Sequence, residues 1–592
     1  MRTCQMLYPV ESSTRRSVSM DGMWKFSLDW KQEGEGKDWK NGVPGEERIP
    51  VPASFQDFYT DKEIREYTGD VWYETDFFVP GEWQEKEVAI RFGSATHCAC
   101  VYVNGVQAAA HEGGFLPFLA PVTDLVEYNA FNKVVVKVNN ELSETRIPCG
   151  TTKVLKNGKK MSKPYFDFFN YSGLQRPVKL VAWPKEHIED YTVTCEFDGA
   201  DALVHYTVET TGEHEVLVEL YDREHRPAAS AAGKEGVLRV SDAHKWDVGD
   251  GYLYEIRLRI MDGDVPVDEY TDRIGIRTVE VKGRDILVNG RKVYLKGFGK
   301  HEDSDIVGRG FNIGANCFRT SHYPYSEEIY QMADREGILI IDEVAAVGMF
   351  RSLMNFAEAS SGKKTSFFEA STVPQLLAHH LQCVEDMICR DKNHPSVIAW
   401  SLFNEPETTE DSAVPYFEKI FARAREVDPQ KRPRTFAMIG NSGPDTCKCC
   451  QLCDFLSLNR YYGWYMMGGY EISDAEEAFR EEMDGWAKKQ MNKPVIFTEY
   501  GADTSPAEHK LPSVMWSQEY QVEYLEMCHR VFDSYDFVAG ELVWNFADFQ
   551  TTEGIMRMNG NKKGIFTRQR QPKEAAYYFK KRWEGLPVDY KK

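Results

Sequence analysis

Residues 279–592 carry the pattern that most constrains the fold: eight short apolar runs, each ending in polar residues. They are VYLKGFGKH (293–301), ANCFRTSHYP (315–324), ILIIDEVAA (338–346), VIAWSLFNEP (397–406), RTFAMIGN (434–441), FLSLNRYYGWY (455–465), PVIFTEYGAD (494–503) and GELVWNFADF (540–549). Amphipathic helical segments such as SEEIYQMADREG, PQLLAHHLQCVEDMICRD and SQEYQVEYLEMCHRVF lie between most of them. Strands alternating with helices read as parallel crossover units, and eight in succession predict a closed (β/α)8 TIM barrel. One interval departs from the rhythm. Only residues 302–314 separate the first two runs, too few apolar positions for a crossover helix. Either the barrel lacks its first helix or a stretch of chain is missing there.

Upstream the periodicity is that of strands. Before residue 185, VAIRF (88–92) and VVVKVN (134–139) are apolar or alternating, and CVYVNGV (100–106) holds an Asn-Gly pair, a strong hairpin signal. Residues 185–278 carry YTVTCEF, ALVHYTVET, HEVLVELYD and GYLYEIRLRI at the spacing of an immunoglobulin-like β-sandwich. The expected division is 1–184, 185–278 and 279–592.

Charge and composition narrow the partners. The formal net charge of −21 disfavours wrapping nucleic acid or adhering to anionic lipid, both of which want a basic face. No run approaches the ~18–20 apolar residues of a membrane span. The N-terminal MRTCQMLYPVESSTRR has no apolar core of a secretory signal, which predicts a cytoplasmic protein acting on a small molecule. The 13 cysteines are an odd number, mostly scattered singly, and read as reduced thiols. Cys447, Cys449, Cys450 and Cys453 are too cramped to favour a zinc tetrahedron over thiols in a loop.

In a TIM barrel, chemistry sits where strands end at the C-terminal face. The fourth run ends in Asn404-Glu405-Pro406 and the seventh in Thr498-Glu499-Tyr500. Two carboxylates across a barrel mouth suit glycoside hydrolysis, one protonating the leaving oxygen and the other attacking the anomeric carbon, about 5–5.5 Å apart in retaining enzymes. Either Glu alone is equally well a strand cap or a salt-bridge partner. The pair inside a counted barrel favours catalysis.

With these residues in view, the chain resembles the bacterial, gut-type β-glucuronidases of glycoside hydrolase family 2 over essentially its whole length. The strings that carry the resemblance are DKNHPSVIAWSLFNEP (391–406), LNRYYGWY (458–465), TEYGAD (498–503) and NGNKKGIFTR (559–568). The resemblance implies an N-terminal sugar-binding jelly-roll β-sandwich, an immunoglobulin-like sandwich and the catalytic barrel. It implies Glu405 as acid/base, Glu499 as nucleophile, Asn404 on the sugar 2-hydroxyl and Tyr461 orienting Glu499, where simple aromatic packing is the alternative for Tyr461. Asn561 and Lys563 would clamp the sugar's C6 carboxylate, with Arg557 and Tyr465 nearby; read without the family, NKKG is a solvated turn. Asp167, His301, Asn459 and Trp544 are implied as further sugar contacts, and Phe166 stands where the family usually has His. A Lys563 buried for an anion should reject neutral sugars by ~10⁴, because its charge would be left unpaired. Residues 348–372 match the family's long aglycone loop, with Met349, Phe350, Leu353 and Phe356 as an apolar lid, or else form a loose insertion.

The sequence therefore predicts a retaining exo-β-glucuronidase with no cofactor and no metal, assembled as a homotetramer or dimer. The alternatives are a β-galacturonidase or β-galactosidase of the same family, and a non-catalytic carbohydrate-binding protein.

Overall fold

The computed structural model describes residues 6–303, 313–350, 367–489 and 491–590. The first sandwich pairs a six-stranded sheet with a four-stranded one. The larger has the order Arg48–Val51, Gly22–Leu28, Asp70–Val79, Ala130–Asn139, Cys98–Val103, Val106–Glu112. The smaller runs Arg16–Ser19, Val178–Pro184, Lys86–Phe92, Phe118–Pro121. Alternation sets the inner face: Val134, Val136 and Val138 share a core with Trp24, Tyr73 and Ile90. The Asn-Gly pair turns the hairpin as expected, with Asn104 and Gly105 both at positive φ, 49° and 81°.

The second sandwich packs Ile188–Asp198, Asp201–Thr210 and Glu235–Val240 against a sheet of Pro227–Ala232, Glu215–Tyr221, Tyr254–Asp262 and Val265–Ile274. Val204, Val218, Ile256 and Leu258 lie between the two. It is the immunoglobulin-like layer that the strand spacing predicts.

Eight parallel strands then close a barrel: β1 (Leu295–Gly299), β2 (Cys317–Arg319), β3 (Leu339–Glu343), β4 (Val397–Asn404), β5 (Arg434–Met438), β6 (Leu456–Asn459), β7 (Val495–Glu499) and β8 (Val538–Val543). The first seven fall within their predicted runs, and β8 begins two residues before its own, which was expected to start at Gly540. The barrel helices form where one face is apolar. In Gln518–Asp533 the buried Tyr524, Met527, Cys528, Val531 and Phe532 recur at helical spacing, and the Ser517 side chain caps the start by accepting from Tyr520 N. Leu295, Leu339, Ile341, Ile496 and Leu542 pack into one apolar cluster of the barrel.

Both sandwiches are tied to the barrel. Arg91 of the first pairs with Glu327 at 2.7 Å, and Phe115 stacks on Tyr323 at 4.4 Å. Arg277, just after the second sandwich, donates to the carbonyls of Pro395 and Val397. The first sandwich thereby reaches the C-terminal rim of the barrel.

Three expectations meet the structure here. The short first crossover concerns residues 304–312, which lie outside the described residues. The lid of 348–372 does so over 351–366, including Leu353 and Phe356. Met349 and Phe350 are described and are buried, Phe350 against Ile439. Among the described residues eleven cysteines are free thiols, and all four of the Cys447–Cys453 group are buried. No helix among the described residues is long and apolar enough to cross a membrane.

Candidate active site

The polar ends of the barrel strands converge. β4 delivers Asn404, buried, and then Glu405, half-buried at a left-handed φ of 50°. β6 ends in Asn459 and β7 in Glu499, paired in register. Asn459 donates to Glu405 Oε1 at 2.9 Å and to Asn404 Oδ1 at 3.3 Å. Tyr461, two residues beyond β6, donates its hydroxyl to Glu499 Oε2 at 2.7 Å, so the residue is more than packing.

The two glutamates sit in different electrostatic settings. Among the described residues Glu405 has one neutral donor, Asn459. Burial, then the charge of Glu499, push its carboxyl up to about 8. Glu499 is gripped by two donors: Tyr461, and the Arg319 guanidinium through a short contact to Oε1. One carboxyl is thus held as an acid, and the other accepts from two donors.

Arg319, which ends β2, went unnoticed in the sequence, as did Glu343 and His322. Arg319 is fully buried and donates twice to Glu343 at 2.7 Å and to Asn404 at 3.3 Å, besides its contact to Glu499. Glu343, ending β3, also accepts from Ser401 Oγ at 2.6 Å and pairs with His322 Nδ1 at 3.0 Å. Burial pushes the Glu343 carboxyl up, but Arg319 and His322 outweigh it and hold it below the usual range. A charged residue closing an apolar run was the available signal for both Arg319 and Glu343.

Trp544 follows β8 directly. It lies between His301, edge-on at 5.4 Å, and His322, stacked at 5.0 Å. The ring approaches so closely that a Cβ on Gly299 would meet it at 2.8 Å, so only glycine fits there. His301 is buried and bonds Tyr323 through Nδ1 at 3.2 Å, while its Nε2 has no partner among the described residues. Burial drives its pKa far below the ordinary value, leaving a neutral ring with one unsatisfied nitrogen. Phe166 stacks on Phe168 at 4.2 Å, an apolar contact.

A second polar group gathers beside Tyr461. Lys563 is fully buried; its ammonium contacts Asp503 and donates to Tyr465 Oη at 2.6 Å. Arg557 donates to the same Tyr465 oxygen at 2.6 Å and grips Asp167 of the first sandwich through Nε at 3.1 and 2.8 Å. Asn561 lies 3.5 Å from Asp167 and accepts from Lys563 N at 3.1 Å. All four proposed clamp residues and Asp167 are therefore neighbours. The expectation of an unpaired ammonium is corrected: Asp503, ending the TEYGAD run, already pairs with Lys563.

Taken together the site offers a raised-pKa acid, a second carboxylate held by donors, an aromatic wall and a cationic corner. Three family models cover the chain: the sugar binding domain of glycosyl hydrolases family 2 matches residues 18–184, a further family 2 domain 185–277, and the family's TIM barrel domain 279–588. A β-glucuronidase of Paenibacillus borealis is 43% identical, covering 98% of this chain and 98% of its own. The human β-glucuronidase is 39% identical, covering 98% and 92%. The solved Ruminococcus gnavus β-glucuronidase is 58% identical, covers 99% of this chain and 100% of its own, and superposes with a TM-score of 0.97. The same protein in complex with uronic isofagomine gives 58%, with 98% and 99% covered and a TM-score of 0.96. On the match of all three domains and the paired carboxylates at the strand ends, this chain belongs to glycosyl hydrolases family 2 and is a glycoside hydrolase.

Proposed function

We propose that this glycoside hydrolase is a retaining exo-β-glucuronidase, releasing D-glucuronate and an aglycone from β-D-glucuronides. The observation that carries the reading is the buried cationic corner of Lys563 and Arg557, which shares Tyr465 and adjoins Tyr461, the donor to Glu499. A carboxylate on the sugar's C6 would be matched there. The names of the relatives agree.

In the proposed reaction Glu405 gives its proton to the glycosidic oxygen as Glu499 attacks the anomeric carbon. The C1–O bond to the aglycone breaks and a glycosyl ester of Glu499 forms. Burial and the charge of Glu499 together hold the Glu405 carboxyl high; esterification removes the charge and so lowers it, and Glu405 can next take a proton from water. That water attacks C1 and Glu499 leaves as carboxylate. Arg319 and Tyr461 stabilise Glu499 as an anion at the start and end of this cycle. Asn404 would hold the 2-hydroxyl, and His301, Asn459, Trp544 and Asp167 would line the sugar site, with Asn561 joining the clamp.

Domain boundaries at 184/185 and 278/279, a cytoplasmic location and assembly as a homotetramer or dimer belong to the same reading. Sedimentation of the purified chain tests the last.

The deciding assay is release of 4-nitrophenol from its β-D-glucuronide, with the β-D-galactoside and β-D-galacturonide in parallel. Turnover of the glucuronide alone, lost in Glu499→Ala and weakened in Lys563→Ala, is the expected result. Preference for a neutral galactoside would reject the carboxylate clamp, and turnover of none would favour a binding protein.

A further inference from the structure

Asp503 lies four residues beyond Glu499 and is 1% exposed. Both its oxygens are engaged: Oδ1 accepts from Lys562 N at 2.7 Å, and Oδ2 contacts the Lys563 ammonium, with Arg557 Nη1 at 3.5 Å. A buried carboxylate beside the cation that is to receive an anion needs a reason, since like charges around one ammonium oppose each other.

The reason lies in what encloses Lys563. The rings of Tyr465, Trp464 and Tyr461 stand 4.4, 5.6 and 5.7 Å from its nitrogen, all on the segment after β6. Arg557 adds a second positive charge through their shared contact with Tyr465 and Asp503. In so dry a cage an ammonium without a counter-ion gives up its proton and ceases to attract anions. Burial lowers the Lys563 pKa to about 8, with Arg557 also lowering it and Asp503 holding it up. Asp167 is the other carboxylate at this corner. Its side chain is 38% exposed and held by Arg557, whereas that of Asp503 is enclosed and held by the backbone as well.

We propose that Asp503 is a positioning, specificity-determining residue, whose carboxylate keeps the Lys563 ammonium charged and fixed against Tyr465 so that the corner accepts a sugar carboxylate. Asp503 and Asp167 are the carboxylates paired with Lys563 and Arg557 at this corner. An arriving sugar carboxylate would share Arg557 with the half-buried Asp167 while Asp503 stays in place. The inference rests on the glucuronidase reading above.

The test measures kcat and KM for 4-nitrophenyl β-D-glucuronide from pH 6 to 9 in the wild type, Asp503→Asn, Lys563→Gln and the double variant. Asp503→Asn should raise KM at least about tenfold at pH 8 and less at pH 6, with a smaller change in kcat, because Lys563 then loses its proton at lower pH. If Asp503 acts through Lys563, the double variant should match Lys563→Gln. A pH-independent fall in kcat with KM unmoved, or additive losses, would overturn the proposal. Should Asp503→Asn fail to fold, Asp503→Glu keeps the charge but displaces it: KM should rise at every pH, and an unchanged KM overturns the role. A wild type that cleaves the galactoside and not the glucuronide rejects the glucuronidase reading itself, and this inference with it.

Discussion

Asn459 donates its amide to Glu405 Oε1 at 2.9 Å, and its own oxygen accepts from Thr498, the residue before Glu499, at 2.8 Å. One side chain thus spans the ends of β4 and β7. The Thr498 hydroxyl fixes which way the Asn459 amide faces, so its NH2 is aimed at Glu405. A donor to a carboxyl favours the ionised form, and this bond opposes the upward push of burial and of Glu499 on Glu405.

Removing that donor should shift the pH profile in a defined direction. Glu405 serves as an acid only while protonated, so kcat/KM falls as pH rises through about 8. In Asn459→Ala the carboxyl loses a bond to its anion, and the alkaline limb should move to higher pH. Turnover should also fall, because Glu405 becomes a worse acid near neutrality. A profile from pH 5 to 10 checks both.

Glu405 also sets a stability difference that depends on pH. Its folded carboxyl holds its proton to about 8, whereas an unfolded one releases it near ~4.3. Stability is therefore lost as pH rises between these values, since the unfolded chain alone gives up the proton. Glu405→Gln does not titrate. Its Tm should exceed that of the wild type by about 3 °C or more at pH 8, and by much less at pH 4.5, while the enzyme loses its acid. Calorimetry at the two pH values reads the difference.

Arg319 is the counter-ion of both Glu343 and Glu499. Arg319→Gln would leave two buried carboxylates without their cation, at a cost of about 3–5 kcal/mol in stability. Hydrolysis should fall by ~10³ or more. Lysine should not restore it, because an ammonium cannot serve both carboxylates in a planar fork. Denaturant unfolding and kcat together check this.

Tyr461→Phe removes one hydroxyl from Glu499 and leaves Arg319 in place. The expected loss is ~10²-fold in kcat with KM changed far less, since the donor acts on charge that changes during reaction. Steady-state kinetics on one aryl glucuronide suffices.

Much of the site could be read before the fold was known, for a local reason. Glu405 and Glu499 stand at the ends of VIAWSLFNEP and PVIFTEYGAD, and an apolar run that closes on a carboxylate is visible within ten residues. Trp544 and His301 are visible in the same way. Arg319, Glu343 and Asp503 close apolar runs too, yet a single charged residue there equally fits a surface cap.

What separates the two cases is pairing, and pairing depends on barrel closure. Closure brings Arg319 of β2 against Glu499 of β7, and Asp503 against Lys563 sixty residues later. Docking of the first sandwich puts Asp167 on Arg557, 390 residues away in sequence. The sequence by itself determined where strands run and which side chains end them, because burial periodicity is set by near neighbours. Whether a buried charge is an acid, an anion or a satisfied partner was decided only by tertiary structure, since desolvation and counter-ions come from residues distant along the chain.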